Sequence, residues 1–254
     1  MQTPGEEKNM KARGRRHGRR VLLCLAALLM LLCAAVFLYA ADYAHARPEA
    51  LAALESDAAV TVSETDYGWL FDGPSMDRAL IFYPGGKVEE TAYAPFLHLL
   101  AERGIDVCLV KMPARLAFLG MNRADKVMAE SSYAQWYVGG HSLGGAVAAI
   151  YASGHGESFE GLILCAAYPT KPLDPSLTEL LLYGSEDGVL NREKLTEGRQ
   201  YATEHCRELE IEGGNHAGFG CYGEQKGDGE GSLSPGEQQR QAADWIVAEL
   251  DGAA

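Results

Sequence analysis

The chain has 254 residues and a net charge of −13, with 47% hydrophobic and 22% charged residues, values of a globular protein with one sizeable domain plus accessory segments. Residues 47–254 carry 15 basic and 32 acidic side chains, net −17. Such a surface repels nucleic acid and anionic lipid headgroups, so neither is expected as a charge-bound partner.

The basic residues that offset this charge are gathered at the N-terminus. Lys8, Lys11, Arg13, Arg15, Arg16, Arg19 and Arg20 precede an uncharged run from Val21 to Ala41. A bilayer crossing needs about 20 apolar residues, and a basic flank keeps the N-terminus in the cytoplasm. The expected order is a basic cytoplasmic segment (1–20), a signal-anchor helix (21–41), a juxtamembrane linker (42–57) and an exported domain (58–254), on a single-pass protein of the cell membrane. The alternative is a cleaved signal and a secreted product, because Ala44-His45-Ala46 fits a small-x-small cleavage site. The apolar run exceeds the about 7–15 residues of a signal core, which favours the anchor. Cys33 follows Leu31-Leu32 and lacks the small residues that a lipoprotein signal needs.

From residue 59 onward, strand and helix patterns alternate. "AVTVSE" (59–64), "YGWLF" (67–71) and "RALIFY" (78–83) read as strands. "AYAPFLHLLAERG" (92–104) has helical spacing and a glycine stop; "DVCLVKM" (106–112) is a strand and "RADKVMAESS" (123–132) a helix. "QWYVG" (135–139) is a strand, 143–153 a helix, and "GLILCAAY" (161–168) and "LTELLLYG" (177–184) are strands. Arg192 to Thr203 reads as a helix, "RELEIEG" (207–213) as the last strand and Gly236 to Leu250 as the closing helix, opened by the capping box Ser234-Pro235-Gly236-Glu237. Near-continuous apolar strands alternating with helices predict an α/β fold with a parallel sheet covered on both faces. Cys24 and Cys33 lie in the apolar run, Cys108 and Cys165 in strands; Cys206 and Cys221 flank one strand and loop and either pair or remain thiols. No Cys/His spacing suggests a metal.

The chemistry gathers around "WYVGGHSLGG" (136–145). Strand, sharp turn at Gly140-His141-Ser142-Leu143-Gly144 and small-residue helix form a G-x-S-x-G elbow. The serine takes a strained conformation with its hydroxyl above the strand ends. Positions two before and two after then pass too close for side chains. The N–H of Leu143, at a helix N-terminus, suits an oxyanion donor. An acid and a histidine should follow, each past a later strand. Asp187, in "YGSEDGV", is the expected acid, with neighbouring Glu186 as the fallback; His216, in "GGNHAGFG", is the expected base. His17 and His45 lie outside the domain, His98 and His155 on or at the end of helices, His141 inside the elbow, and His205 before a strand. The second oxyanion donor should come from Tyr83-Pro84-Gly85-Gly86-Lys87, with Gly86 first and Lys87 next. Phe118, Met121, Tyr168, Phe219 and Tyr222, on loops near strand ends, are candidate substrate-pocket residues.

From about Val60 to Leu250 the chain resembles the alpha/beta hydrolases, and within them a compact bacterial group with an N-terminal membrane segment. The motifs "FYPGGKVE", "GGHSLGG", "YGSEDGV" and "GGNHAGFG" carry the resemblance, in order. It implies a mostly parallel sheet of about eight strands with helices on both faces, and a triad of Ser142, Asp187 and His216. Only "PTKPLDPS" (169–176) stands where many relatives carry a cap domain, so no cap is expected; Pro84 stands where many relatives have histidine. The implied activity is hydrolysis of a small-molecule carboxylic ester through an acyl-enzyme, without cofactor or metal. A thioesterase, amidase or dienelactone-type hydrolase shares the same triad. The alternative of another class is a non-catalytic, membrane-tethered binding protein on this fold.

Overall fold

A computed structural model describes residues 4–74 and 77–252. The first three residues of the basic segment and the last two of the chain lie outside this description. The chain divides into two compact units, at Asp42 and Tyr43.

The first unit is one helix, α1 (Pro4–Ala41). It runs through both the basic segment and the apolar run, which the sequence divides at residue 21. Within it Gly18–Tyr39, with a mean hydropathy of 3.1, is long and apolar enough for a membrane anchor or a signal sequence. Residues 22–39 are exposed throughout.

The second unit is built on one eight-stranded sheet. Its strands are β1 (Thr61–Thr65), β2 (Gly68–Asp72), β3 (Arg78–Tyr83), β4 (Asp106–Val110), β5 (Gln135–His141), β6 (Gly161–Cys165), β7 (Thr178–Gly184) and β8 (Cys206–Ile211), in the order β1-β2-β4-β3-β5-β6-β7-β8. β1 and β2 pair antiparallel, as do β2 and β4; every other pairing is parallel. The expected mostly parallel sheet is thus present, with a hairpin at one edge.

Alternation along the strands splits the core in two. On β3, Leu80 and Phe82 join a cluster with Phe96, Leu97, Leu100 and Ile246, under α3 (Ala94–Glu102) and α7 (Pro235–Gly252). Ile81 and Tyr83 point the other way, to Val138, Val147 and Tyr151, under α4 (Arg123–Glu130) and α5 (Leu143–His155). A strand buried on both faces has no polar side to show, which is why β3 and β4 read as unbroken apolar runs.

Element ends depart from expectation where local backbone intervenes. The sixth strand stops at Cys165 rather than residue 168, because Ala166 adopts a left-handed φ of 50°. The helix expected over 192–203 is α6 (Arg192–Gly198) followed by a 3-10 turn, Arg199–Tyr201. Gly198 interrupts it, a poor helix residue. α7 opens with the predicted box: Glu237 Oε2 accepts from Ser234 N–H at 2.9 Å, and Ser234 Oγ accepts from Glu237 N–H at 3.3 Å. The stretch 42–57 is expected as a short juxtamembrane linker with some helical character around Pro48 to Leu54. From Tyr43 onward this stretch belongs to the second unit, and it includes a short helix, α2 (Pro48–Ala52). Cys206 and Cys221 are free thiols.

Candidate active site

The elbow is held by three backbone facts. Ser142 sits at φ 53°, ψ −122° between β5 and α5. Its N–H donates to Cys165 C=O at 2.9 Å, and its own C=O accepts the first turn of α5 from Ala146 N–H at 2.9 Å. A Cβ on Gly140 would lie 2.3 Å from Tyr83 C=O, and one on Gly144 would lie 2.1 Å from the same oxygen. Only hydrogen fits at either position, as the spacing predicts. Ser142 itself is half-buried.

Asp187 and His216 come together 29 residues apart in sequence. His216 Nδ1 lies 2.9 Å from Asp187 Oδ2, and both side chains are out of solvent. Asp187 Oδ1 accepts from the N–H groups of Val189 (2.9 Å) and Leu190 (2.7 Å). A carboxylate accepts only, so Nδ1 of His216 carries the proton and Nε2 presents a lone pair. That Nε2 is buried and has no hydrogen-bond partner among the described residues. Ser142 and His216 are not hydrogen-bonded to each other in this structure; catalytic hydrogen bonds of this kind often tighten only when substrate is bound. Glu186, the fallback acid, is exposed and accepts from Ser185 Oγ at 3.3 Å.

The two oxyanion candidates are neighbours. A Cβ on Gly86 would meet Leu143 Cδ2 at 2.7 Å. The N–H groups of Gly86 and Leu143 donate to nothing among the described residues. Lys87, the second choice, is removed by its geometry: its N–H donates to Arg115 C=O at 2.9 Å.

The five candidate pocket residues separate. Phe118 is 55% exposed and with Met121, Pro113 and Leu119 lines a surface cavity of about 440 Å³. Tyr168 is half-buried against Tyr183, Leu190 and Leu195. Phe219 and Tyr222 are corrections. Phe219 is fully buried against Phe96 and His141, and Tyr222 packs on Tyr93 with its hydroxyl donating to Gln225 at 3.0 Å. The loop after β8 folds back into the core and carries both rings inward. A larger cavity, about 540 Å³, is lined by Arg47, Asn215, Ala217, Cys221 and Gln239 among others, and not by Ser142.

Residues 79–241 match the alpha/beta hydrolase family. The chain belongs to that family. No curated protein sequence matches it. Among solved structures, a membrane phospholipase A described as a bacterial virulence factor aligns at a TM-score of 0.56 and 16% identity, over 92% of this chain and 98% of that one. Est1E from Butyrivibrio proteoclasticus aligns at 0.53 and 14%, over 76% and 100%. A predicted CIB-like hydrolase from Thermoplasma acidophilum aligns at 0.53 and 14%, over 74% and 99%. Likenesses at these identities are likenesses of fold.

This hydrolase braces its site with residues that the motifs do not single out. Asp228, in the Gly-rich stretch before α7, accepts through Oδ1 from the N–H groups of Gly188 and His216 (3.1 Å each) and Gly229 (2.9 Å), and through Oδ2 from Ala217 N–H (2.8 Å). One carboxylate thereby ties the acid loop to the histidine loop. Gln238 clasps Asn215 on both sides, accepting from its N–H at 3.0 Å and donating to its C=O at 2.8 Å.

His141 does more than fill the elbow. His216 C=O can only accept, so His141 Nε2 donates to it at 3.1 Å; His141 Nδ1 then accepts from Tyr93 O–H at 2.8 Å, and Tyr93 accepts Gly85 N–H at 3.1 Å. A buried chain of polar groups therefore connects the glycine loop, the elbow and the histidine loop. Burial, and secondarily the charge of His216, holds the His141 imidazole well below the usual histidine range. Burial pushes the Tyr93 phenol well up, so it stays a donor.

Two outcomes are expected. Gly144→Ala drives a methyl into the Tyr83 carbonyl and lowers stability by about 1–3 kcal/mol, read by urea unfolding. Because the folded state keeps His141 neutral, its contribution is present above the ordinary histidine pKa of about 6.5 and is lost as pH falls below it. The wild type should therefore lose melting temperature below that pH more steeply than His141→Gln. The difference between the two chains cancels the opposing trend of Asp106, whose carboxyl burial pushes up to about 6. Parallel melting curves from pH 5 to 8 would refute the assignment.

Proposed function

We propose that this hydrolase cleaves carboxylic esters through a covalent acyl-enzyme on Ser142. The observation that carries the proposal is the buried His216–Asp187 pair, whose Nε2 lone pair is unpartnered, in a chain whose elbow holds Ser142 at a positive φ.

Each residue has a task in acyl transfer. His216 Nε2 takes the Ser142 proton as the hydroxyl oxygen attacks the ester carbonyl carbon. Asp187 holds the imidazole in the Nδ1–H tautomer and stabilises the imidazolium. The N–H groups of Gly86 and Leu143 receive the negative oxygen of the tetrahedral intermediate, aided by the N-terminal end of α5. The protonated His216 then gives its proton to the leaving alcohol. A water attacks the acyl-serine by the same route in reverse, and the acid product leaves. No step calls for a metal or an organic cofactor. β6 leads to β7 through residues 166–177 alone, so no cap domain is inserted between them.

The ester reading is tested with an alkyl fluorophosphonate and a panel of p-nitrophenyl esters. Wild type should be labelled and turn over; Ser142→Ala should do neither. Undiminished labelling of Ser142→Ala would refute the nucleophile. Asp187→Asn should remain folded and lose about 10⁴-fold in kcat, the scale seen when a triad acid is neutralised. Glu186→Gln should keep wild-type turnover.

We also propose that α1 stays attached as a single-pass anchor, with the hydrolase outside the cytoplasm. The support is the basic flank before an apolar stretch of spanning length. A carbonate-resistant, full-length band whose domain is digested from outside intact cells is the expected result. A soluble product starting near Arg47 would refute it, and a domain protected until lysis would reverse the orientation.

A further inference from the structure

The residues just after α1 are woven into the loops that the ester-hydrolase reading uses. Ala44 pairs in parallel with Val88. Its N–H donates to Lys87 C=O at 2.8 Å, and its C=O accepts from Glu89 N–H at 2.9 Å. Two residues on, Ala46 N–H donates to the Glu89 carboxylate at 3.0 Å. Arg47 N–H donates to Cys221 C=O at 2.9 Å, on the loop that follows His216. Tyr43 lies under the Arg115 guanidinium, 3.4 Å from its carbon. A five-residue stretch thus touches the loop after β3, the loop after β4 and the histidine loop.

These contacts act on the peptide next to Gly86. Lys87 holds a left-handed φ of 57°, which disfavours a residue with a side chain. Its conformation is fixed from two sides: its N–H by Arg115 C=O and its C=O by Ala44 N–H. Arg115 is itself left-handed, at φ 57°. Backbone in such regions persists only where the surroundings over-determine it. Without Ala44, the Lys87 carbonyl loses this hydrogen bond. The loop that carries the Gly86 N–H then loses one of its two holds at Lys87.

We propose that Tyr43–Arg47 is a positioning strap for the oxyanion loop, so that the enzyme works only with this segment in place. The proposal rests on the ester-hydrolase reading for its catalytic consequence. It has a consequence for processing too. Cleavage after Ala46, at the small-x-small sequence, would cut the chain next to the strap's last bond and separate Ala44 from the domain. The active species is then the uncleaved chain.

The test uses the full-length protein in detergent micelles. Glu89→Ala removes the acceptor for Ala46, and Ala44→Pro removes the donor to Lys87. Both should lower kcat on a p-nitrophenyl ester by about 10²-fold, the scale of one lost oxyanion donor, while KM stays within about two-fold. Amide exchange over 84–90 should quicken, and exchange over the elbow, 138–146, should not. Glu89→Gln keeps an oxygen acceptor and should restore kcat to within about three-fold of wild type. The proposal is overturned if both disruptive variants leave kcat and exchange at wild-type values. It is equally overturned if exchange quickens alike at the elbow, or if a chain starting at Arg47 turns over at the wild-type rate. Should the wild type be neither labelled nor active on any ester, the ester-hydrolase reading fails; exchange over 84–90 then decides the strap alone.

Discussion

One carbonyl, that of Tyr83, sets the tolerance of the whole site. β3 and β5 are adjacent parallel strands with Tyr83 opposite Gly140, and the chain must turn at Ser142 and start α5 across the end of β3. That crossing brings Gly140 and Gly144 onto the same oxygen. A side chain at either position would push α5 off the strand ends, and the Leu143 N–H would move with it. The elbow is therefore a packing constraint first and a chemical device second. The same crossing puts Gly86, on the loop after β3, against Leu143, on the first turn of α5. Two residues far apart in sequence are made neighbours by one close approach.

Strain is concentrated on this rim. Among the described residues, the non-glycine positions with positive φ are Lys87, Ala114, Arg115, Ser142 and Ala166. They follow β3, β4, β5 and β6 at the C-terminal ends of the parallel strands. Each costs about 1–3 kcal/mol against an ordinary conformation, so something must offset it. Part of the offset is visible as hydrogen bonds that cross between loops: Ser142 N–H to Cys165, Lys87 N–H to Arg115, Ala166 N–H to Leu182. The buried His216–Asp187 pair adds its own desolvation cost, met in part by two N–H groups on Asp187, while the four that converge on Asp228 hold the surrounding loops. What remains unmet is His216 Nε2, the atom proposed to receive the serine proton.

The sequence reveals this architecture unevenly, for physical reasons. Strand cores are legible because burial on both faces demands unbroken apolar runs, and the elbow because close approach demands glycine. The carboxylate to expect is legible only up to a choice, since Ser185-Glu186-Asp187 offers two acids and side-chain direction depends on the turn. Phe219 and Tyr222 are misread because an aromatic residue near a strand end looks the same whether its loop faces solvent or folds into the core. Asp228 and Gln238 leave no local mark. Apart from the Asp228 bond to neighbouring Gly229, their side-chain bonds go to residues more than 10 positions away, and such pairing has no periodicity. His141 is dismissed from sequence as part of the turn; its role appears only once Tyr93, from the start of α3, is seen to meet it.

Residues 42–57 read as a linker because their one helical signal, around Pro48 to Leu54, is short. Docking by backbone bonds is silent in sequence, since every non-proline residue carries the same donor and acceptor. Yet this silent stretch lies outside residues 79–241, the part matched to the family. The elbow, Asp187 and His216 lie within the matched residues; the segment that closes around the Gly86 loop precedes them. A hydrolase can vary its loops while keeping its triad, because rigid strands fix the triad and loops rely on whatever packs against them. Here the packing comes from the stretch that follows an apolar helix of spanning length. On the proposed reading, the conformation of the Gly86 loop is coupled, through Ala44 and Arg47, to the fate of that helix.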